Sequence, residues 1–199
     1  MVGPSPKLVL SSASKRRLEL LSQVQIFPDE VFAPKIDETP KANETARQLV
    51  TRLSVLKAGQ GVKKFPGSFV IGADTVIAVG GRVLGKAKNK EEEREYLAKL
   101  SGRRHRAISG IAIFNPEGES RTKVVETKVT FKRLNKPEIE SYVEMDEWRD
   151  AAGGYAIQGY AACFVRQING TYHNVVGLPL LEVVNLLQGM GYRKMDAKT

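Results

Sequence analysis

The stretch Lys7-Leu8-Val9-Leu10-Ser11-Ser12-Ala13-Ser14-Lys15-Arg16-Arg17-Leu18-Glu19-Leu20-Leu21 changes its hydrophobic period from that of a strand to that of a helix. Lys7–Ser11 reads as a short strand. The residues after it read as a helix with Leu18, Leu21 and Val24 inward and Ser12 or Ser14 as N-cap. A strand that runs straight into a helix is the unit from which α/β folds are assembled. Ser12-x-Ser14-x-x-Arg17, with Arg16 beside it, also sets two hydroxyls and two guanidiniums around the helix's first turn. Such a turn offers unpaired N–H groups and a partial positive charge, so the pattern suits an anion. By spacing alone it suits a capped surface helix with two solvated arginines equally well.

Outward from this junction the helical and strand periods alternate. A second helix is expected over Asn43–Gly59, capped by Asn43, with Ala46, Leu49, Val50, Leu53 and Leu56 on one side and Lys57 near its end. Phe69–Ala73 is an apolar strand ending at Asp74, and Gly80-Gly81 joins Val76–Val79 to Arg82–Leu84 in a hairpin. A third helix starts with Asn89 as cap and Glu92 as its capping-box partner and stops at Gly102. Strands Arg106–Phe114 and Lys123–Leu134 follow, joined by Asn115-Pro116-Glu117-Gly118. After them come a helix over Pro137–Met145, a strand over Ala161–Ile168, the turn Asn169-Gly170 and a helix over Pro179–Gln188. The fold class is α/β with antiparallel hairpins, not a regular βαβ array. No repeat, low-complexity tract or linker interrupts it, so residues 1–199 read as one domain.

Composition narrows the function. The chain has 199 residues, 42% of them hydrophobic, which is enough for a real core. An excess of 31 Lys+Arg over 22 Asp+Glu gives +9, which favours anionic partners of any kind. The first apolar run, Leu8-Val9-Leu10, is far too short for a signal or a membrane span, and the single cysteine, Cys163, allows no internal disulfide. A cytoplasmic protein is expected. Cys163 reads as a buried residue of an apolar strand. Two histidines, His105 and His173, with one cysteine give no zinc-ligand spacing, and no Walker A loop, Gly-x-Gly-x-x-Gly fingerprint, Gly-x-Ser-x-Gly elbow or stacked-aromatic RNA motif is present.

Carboxylates supply the remaining chemistry. Asp37-Glu38 closes an extended segment before Thr39-Pro40, and Asp74 closes an apolar strand. Such oxygens suit Mg²⁺, or could orient a water. An acidic pair in a loop can also be merely solvated, and Lys57, Lys86 and Gln158 taken singly are ordinary surface residues. Asp74 is the more pointed case, because a charge at the end of Phe-Val-Ile-Gly-Ala needs a reason to be there.

Taken in order, these segments resemble the Maf family of nucleoside triphosphate pyrophosphatases over nearly the whole chain. The family's Ser-x-Ser-Pro-Arg-Arg and Glu-Leu-Leu are matched by Ser12 to Arg17 and Glu19-Leu20-Leu21, its Asp-Glu by Asp37-Glu38, its Lys-Ala by Lys57-Ala58 and its Gly-Ala-Asp-Thr by Gly72 to Thr75. Further matches are Leu84-Gly85-Lys86, Leu100-Ser101-Gly102 with His105, Glu126-Thr127, Ala152 to Gly159 and Asn174 to Leu180. Each motif alone is weak; their ordered set is specific. The resemblance implies a two-lobed α/β mixed sheet with flanking helices, related to the inosine triphosphate pyrophosphatases, with the nucleotide cleft between lobes and a homodimer.

It also implies metal-assisted attack of water on the α-phosphate, with Mg²⁺ or Mn²⁺ as cofactor and a nucleoside monophosphate and pyrophosphate as products. Asp74 and Glu38 would be the catalytic and metal-binding pair. Arg16, Arg17, Lys57 and Lys86 would hold the triphosphate, with Ser12 and Ser14 lining its cradle. Gly-Tyr-x-Ile-Gln-Gly and Asn-Val-Val-Gly-Leu-Pro are similar to the dTTP/UTP branch, where Gln158 would read the base. Lys15, Ala87 and Asn89 depart from the family pattern, which bears on loop rigidity, and Trp148-Arg149 is unusual and would touch base or dimer partner. The alternatives are a pyrophosphatase for 7-methyl-GTP or deaminated purines, and a non-enzymatic nucleic-acid-binding or septum-inhibiting regulator. Membranes are not expected as partners, nor is nucleic acid on the main reading.

Overall fold

The computed structural model describes residues 5–193. In chain order its elements are β1 (Leu8–Ser11), α1 (Lys15–Gln23), β2 (Glu30–Phe32), α2 (Ala46–Lys64), β3 (Phe69–Val79), β4 (Arg82–Leu84), α3 (Lys90–Leu100), β5 (Arg104–Phe114), β6 (Ser120–Phe131) and α4 (Lys136–Glu144). A 3₁₀ turn (Tyr160–Phe164), β7 (Val165–Asn169), α5 (Tyr172–Val176) and α6 (Leu180–Gly189) complete it. One seven-stranded sheet runs β2-β1-β3-β5-β6-β7, with β4 paired to β3. It is mixed: β1 lies parallel to β2 and β3, whereas the β3–β4 and β6–β7 pairs are antiparallel. Leu8, Val9 and Leu10 are all buried, the pattern of a parallel strand covered on both faces.

The chain forms two compact units. The first, residues 1–74, 109–124 and 177–199, is organised around α2. This helix lies backbone-to-backbone on the strands. A Cβ on Gly72 would sit 2.5 Å from Ala58 N, and one on Gly61 would sit 2.6 Å from Val70 Cγ1. Val9, Ala58, Val70 and Ala112 form the small-residue core that this approach requires. The second unit, residues 75–108 and 125–176, has a larger core built of Leu97, Leu100, Phe131, Tyr142, Trp148, Tyr155 and Phe164 among others. Here His105 Nε2 and Tyr155 Oη lie 2.8 Å apart, and burial lowers the His105 pKa to about 4.

Several boundaries differ from the sequence expectation. α2 is capped by Thr45, whose side chain forms a capping box with Gln48, whereas Asn43 is left-handed (φ 60°) and does not cap it. It then runs on through Gly59 and Gly61, and Leu56 points outward. β3 does not end at Asp74 but continues to Val79, with Asp74 buried mid-strand. α1 buries Arg17, Leu20 and Leu21, while Leu18 is exposed and Val24 is only partly covered. The segment expected as one strand over Ala161–Ile168 is a 3₁₀ turn followed by β7, and Cys163 on that turn is exposed. Asn89 caps α3 as expected, but Glu92 accepts from Lys88 N instead of closing a box on Asn89. Trp148 does not face outward: it is buried, donating to Val143 O at 2.9 Å, with the Arg149 guanidinium 4.8 Å over its ring.

Candidate active site

Within the first unit, α2 and β3 bring Lys57 against Asp74. The Lys57 ammonium lies 2.6 Å from Asp74 Oδ1 and 2.9 Å from Glu38 Oε1. Its position follows from the packing: Lys57 falls on the stripe of α2 with Ser54, Ala58 and Gly61, the residues pressed against the strands. Ser11 Oγ donates to Lys57 O at 2.6 Å, tying this turn of the helix to β1. Lys57 and Asp74 are nearly enclosed, whereas the Glu38 side chain remains 56% exposed. Burial raises the Asp74 carboxyl above its ordinary range, against the charges of Lys57 and Arg17. Asp37 points elsewhere, accepting from Thr39 N at 2.9 Å.

The Ser12–Arg17 turn is built differently from a simple capped helix. Ser14 is the N-cap by position but makes no side-chain cap. The brace is Ser12: its buried Oγ accepts from Ser14 N at 3.2 Å and from Arg17 Nη1 at 2.9 Å. Arg17 Nε donates to Gly177 O at 2.9 Å, joining residues 160 positions apart. The helix therefore buries a guanidinium on its apolar stripe, and burial lowers that group's pKa while Asp74 and Glu38 oppose the shift. Arg16 is half-buried and contributes a further positive charge to Arg17's surroundings. Ser12, Arg16, Arg17, Glu38, Lys57 and Asp74 are thus linked through contacts or charge inside one unit. Gly177 was matched in sequence only as part of a motif; nothing in its spacing discloses that its carbonyl receives Arg17.

Lys86 and Gln158 belong to the second unit. Lys86 follows β4, pairs through its backbone with Ala152, and places Nζ 3.1 Å from Asp150. Gly85 O accepts from Gly153 N at 2.7 Å, so the Lys86 segment is fastened to the Ala152–Gly154 turn. Gln158 is exposed on the turn that precedes the 3₁₀ segment. Beneath Gly154 lies Glu93 of α3, fully buried, with neither carboxylate oxygen hydrogen-bonded. Its carboxyl occupies the volume that a Cβ on Gly154 would need. Burial, and then Glu92, push its pKa up to about 9. The sequence reading passed over Glu93 because it sits in the acidic run Glu91-Glu92-Glu93 at a helix start, where solvated carboxylates are ordinary.

A family model described as Maf-like protein matches residues 7–190. The chain belongs to the Maf family. This Maf protein is 50% identical over 192 residues to the dTTP/UTP pyrophosphatase of Caulobacter vibrioides, covering 96% of this chain and 100% of the relative. It is 49% identical over 193 residues to the dTTP/UTP pyrophosphatase of Mesorhizobium japonicum, covering 94% and 93%. The Brucella abortus dTTP/UTP pyrophosphatase is also 49% identical, with 94% and 92% covered. Among solved structures, the Staphylococcus aureus Ham1 protein aligns at TM-score 0.44 and 20% identity, over 62% of this chain and 71% of the other. A dITP/XTP pyrophosphatase from Mycobacterium abscessus aligns at 0.40 and 21%, over 64% and 74%.

Glu38 and Asp74 of this Maf protein fit a divalent cation. They are hard oxygen donors converging on one ammonium, and Mg²⁺ commonly takes one or two protein carboxylates together with phosphate oxygens and waters. Among the described residues no group of three or more His, Cys, Asp or Glu gathers as a protein cage. Such a donor set suits a cation that shares the oxygens of a bound polyphosphate.

Proposed function

We propose that this Maf protein hydrolyses dTTP and UTP to the nucleoside monophosphate and pyrophosphate. The observation that carries the reading is the buried Asp74–Lys57 pair with Glu38 beside it, in a chain 50% identical over 96% of its length to a dTTP/UTP pyrophosphatase. Asp74, its carboxyl raised by burial, takes the proton of a water that attacks the α-phosphorus. The bond from that phosphorus to the bridging oxygen breaks, and pyrophosphate leaves. Glu38 and Asp74 would hold Mg²⁺ or Mn²⁺, which when bound offsets the charge of the triphosphate.

Arg16 and Lys86 contact the phosphates, and the N-terminus of α1 offers its N–H groups. Lys57 grips the phosphates from between the two carboxylates. Arg17 acts as a fixed positive charge that also sets Ser12 in place, and Ser12 and Ser14 line the cradle. Phosphoryl transfer asks mainly for positioning and charge compensation, which this residue set supplies. Gln158 reads the pyrimidine edge with its amide, donating and accepting. The working form is a homodimer in the cytoplasm. Among the described residues no helix is long and apolar enough to cross a membrane.

A substrate panel scored by pyrophosphate release tests the reading. dTTP and UTP should outrun 7-methyl-GTP and ITP by at least about tenfold in kcat/KM; the reverse order would overturn the pyrimidine assignment. Strongly salt-dependent duplex binding that persists in Asp74→Asn, without turnover in the wild type, would overturn the enzyme reading itself.

A further inference from the structure

Three arginines of the second unit, Arg103, Arg133 and Arg166, line a single concavity of about 470 Å³ together with Ser101, Thr130 and Phe131. Each reaches it by a separate local device. Gly102 turns left-handed (φ 67°) after α3, and the loop is then laced to the end of β6: Gly102 N donates to Lys132 O at 2.9 Å, and Phe131 N donates to Arg103 O at 3.1 Å. This lacing brings Arg103 beside Arg133. Arg166 arrives through an irregularity in the β6–β7 ladder, where Thr130 faces Gln167 but Phe131 faces Val165. Arg166 is the extra residue of that bulge, and a bulge re-aims the side chain it carries.

Three nearby cations are neutralised and these are not. Lys132 pairs with Glu138, Arg94 with Glu140 and Arg106 with Glu126. Arg103, Arg133 and Arg166 make no side-chain hydrogen bond or ion pair to any described residue. Ser101 Oγ accepts from Leu134 N at 2.8 Å, which leaves its own hydroxyl proton available to donate. Arg103, Arg133 and Arg166 are exposed, and no carboxylate lines the hollow with them, so their like charges repel unless an anion joins them. The volume is that of a small-molecule site, and the forked guanidinium matches phosphate oxygens two at a time. We infer that this concavity is a second anion site of the chain, taking a small polyphosphate such as pyrophosphate or the phosphate chain of a nucleotide. It uses none of the residues assigned to hydrolysis, so either assignment can fail without the other.

Titration calorimetry with sodium pyrophosphate on the full chain tests it. The Arg133→Gln/Arg166→Gln variant should bind one pyrophosphate fewer per chain than wild type and keep dTTP turnover within about twofold. Arg16→Gln should leave this site filled. Arg133→Lys, which keeps the charge and loses the fork, should weaken it by at least about fivefold and serves if the double variant folds poorly. A non-hydrolysable dUTP analogue in place of pyrophosphate separates the two sources of the phosphate: release of pyrophosphate from the site by the analogue assigns it to the nucleotide, and its absence to the free anion. Unchanged stoichiometry in the double variant overturns the inference, as does sulfate that competes as well as pyrophosphate at equal ionic strength.

Discussion

Arg17 holds a place in α1 where the helical period calls for an apolar side chain, stacked above Leu20 and Leu21. A guanidinium tolerates that place because its donors meet Ser12 Oγ and Gly177 O, and because Asp74 and Glu38 lie within electrostatic reach. Ser12→Ala removes the acceptor from both Arg17 and Ser14 N, and a buried donor left without its partner costs about 1–3 kcal/mol. Urea unfolding should show a loss of that size; an unchanged midpoint would mean that Ser12 is not the brace. Asp74→Asn keeps the volume and removes the base, so turnover should fall by about 10²- to 10⁴-fold while dTTP still binds. Binding measured by calorimetry alongside pyrophosphate release separates the two effects, and retained turnover would remove Asp74 from its assigned role. Neither residue's partnership was legible in sequence. A charge within an apolar run announces that something must neutralise it, but not that the partner is a lysine 17 positions earlier on a helix.

Among the elements, α2 depends on glycines in the strands beneath it. A Cβ on Gly72 would overlap helix backbone, which cannot step aside as a long side chain can. Gly72→Ala should therefore cost well above the 1–3 kcal/mol of ordinary overpacking, lowering both the melting temperature and the activity. In α3, Glu93 gives a pH dependence whose sign is fixed. Its folded pKa of about 9 lies above the ordinary carboxylate value, so the folded state keeps a proton that the unfolded chain releases. The stability tied to that proton is complete below about pH 4.5 and is lost as pH rises through about 9, at roughly 1.4 kcal/mol per pH unit in between. Glu93→Gln lacks this slope, so its stability relative to wild type should climb from pH 5 to 9 in urea titrations. A constant difference would show that Glu93 is ionised in the fold.

Elements with a stereochemical signature were readable: Gly80-Gly81 are both left-handed in the hairpin, Asn89 caps α3 and Asn115 to Gly118 makes the β5–β6 turn. Two segments without one were not. Ala161–Ile168 serves a 3₁₀ turn as well as a strand, and α5 is too short for any period to show.

For the molecule as a whole, the +9 charge acts on a substrate that is itself a polyanion. Attraction over the surface raises encounter rates at low salt and is screened within about 8 Å at physiological ionic strength. Raising the salt should increase KM for dTTP more than it lowers kcat, a split that initial-rate kinetics reads directly; equal losses in both would place the effect inside the site. Family membership was legible at this scale because motifs scattered over the chain recur in order. The positions at which the chain passes between the two units were not, since β3, β5 and β6 each begin in one and end in the other with no linker to mark the crossing.

Glu93 and Gly154 share one volume, and that sharing constrains the history open to both positions. A side chain at 154 can arise only after residue 93 has been shortened; the opposite order passes through a chain that must push a buried carboxyl out of its place. Gly154→Ala alone should be among the most damaging single changes in this protein. The same change made on a Glu93→Ala background should be the milder, the cost of a left-handed alanine remaining, so position 154 is free to drift only once position 93 has changed.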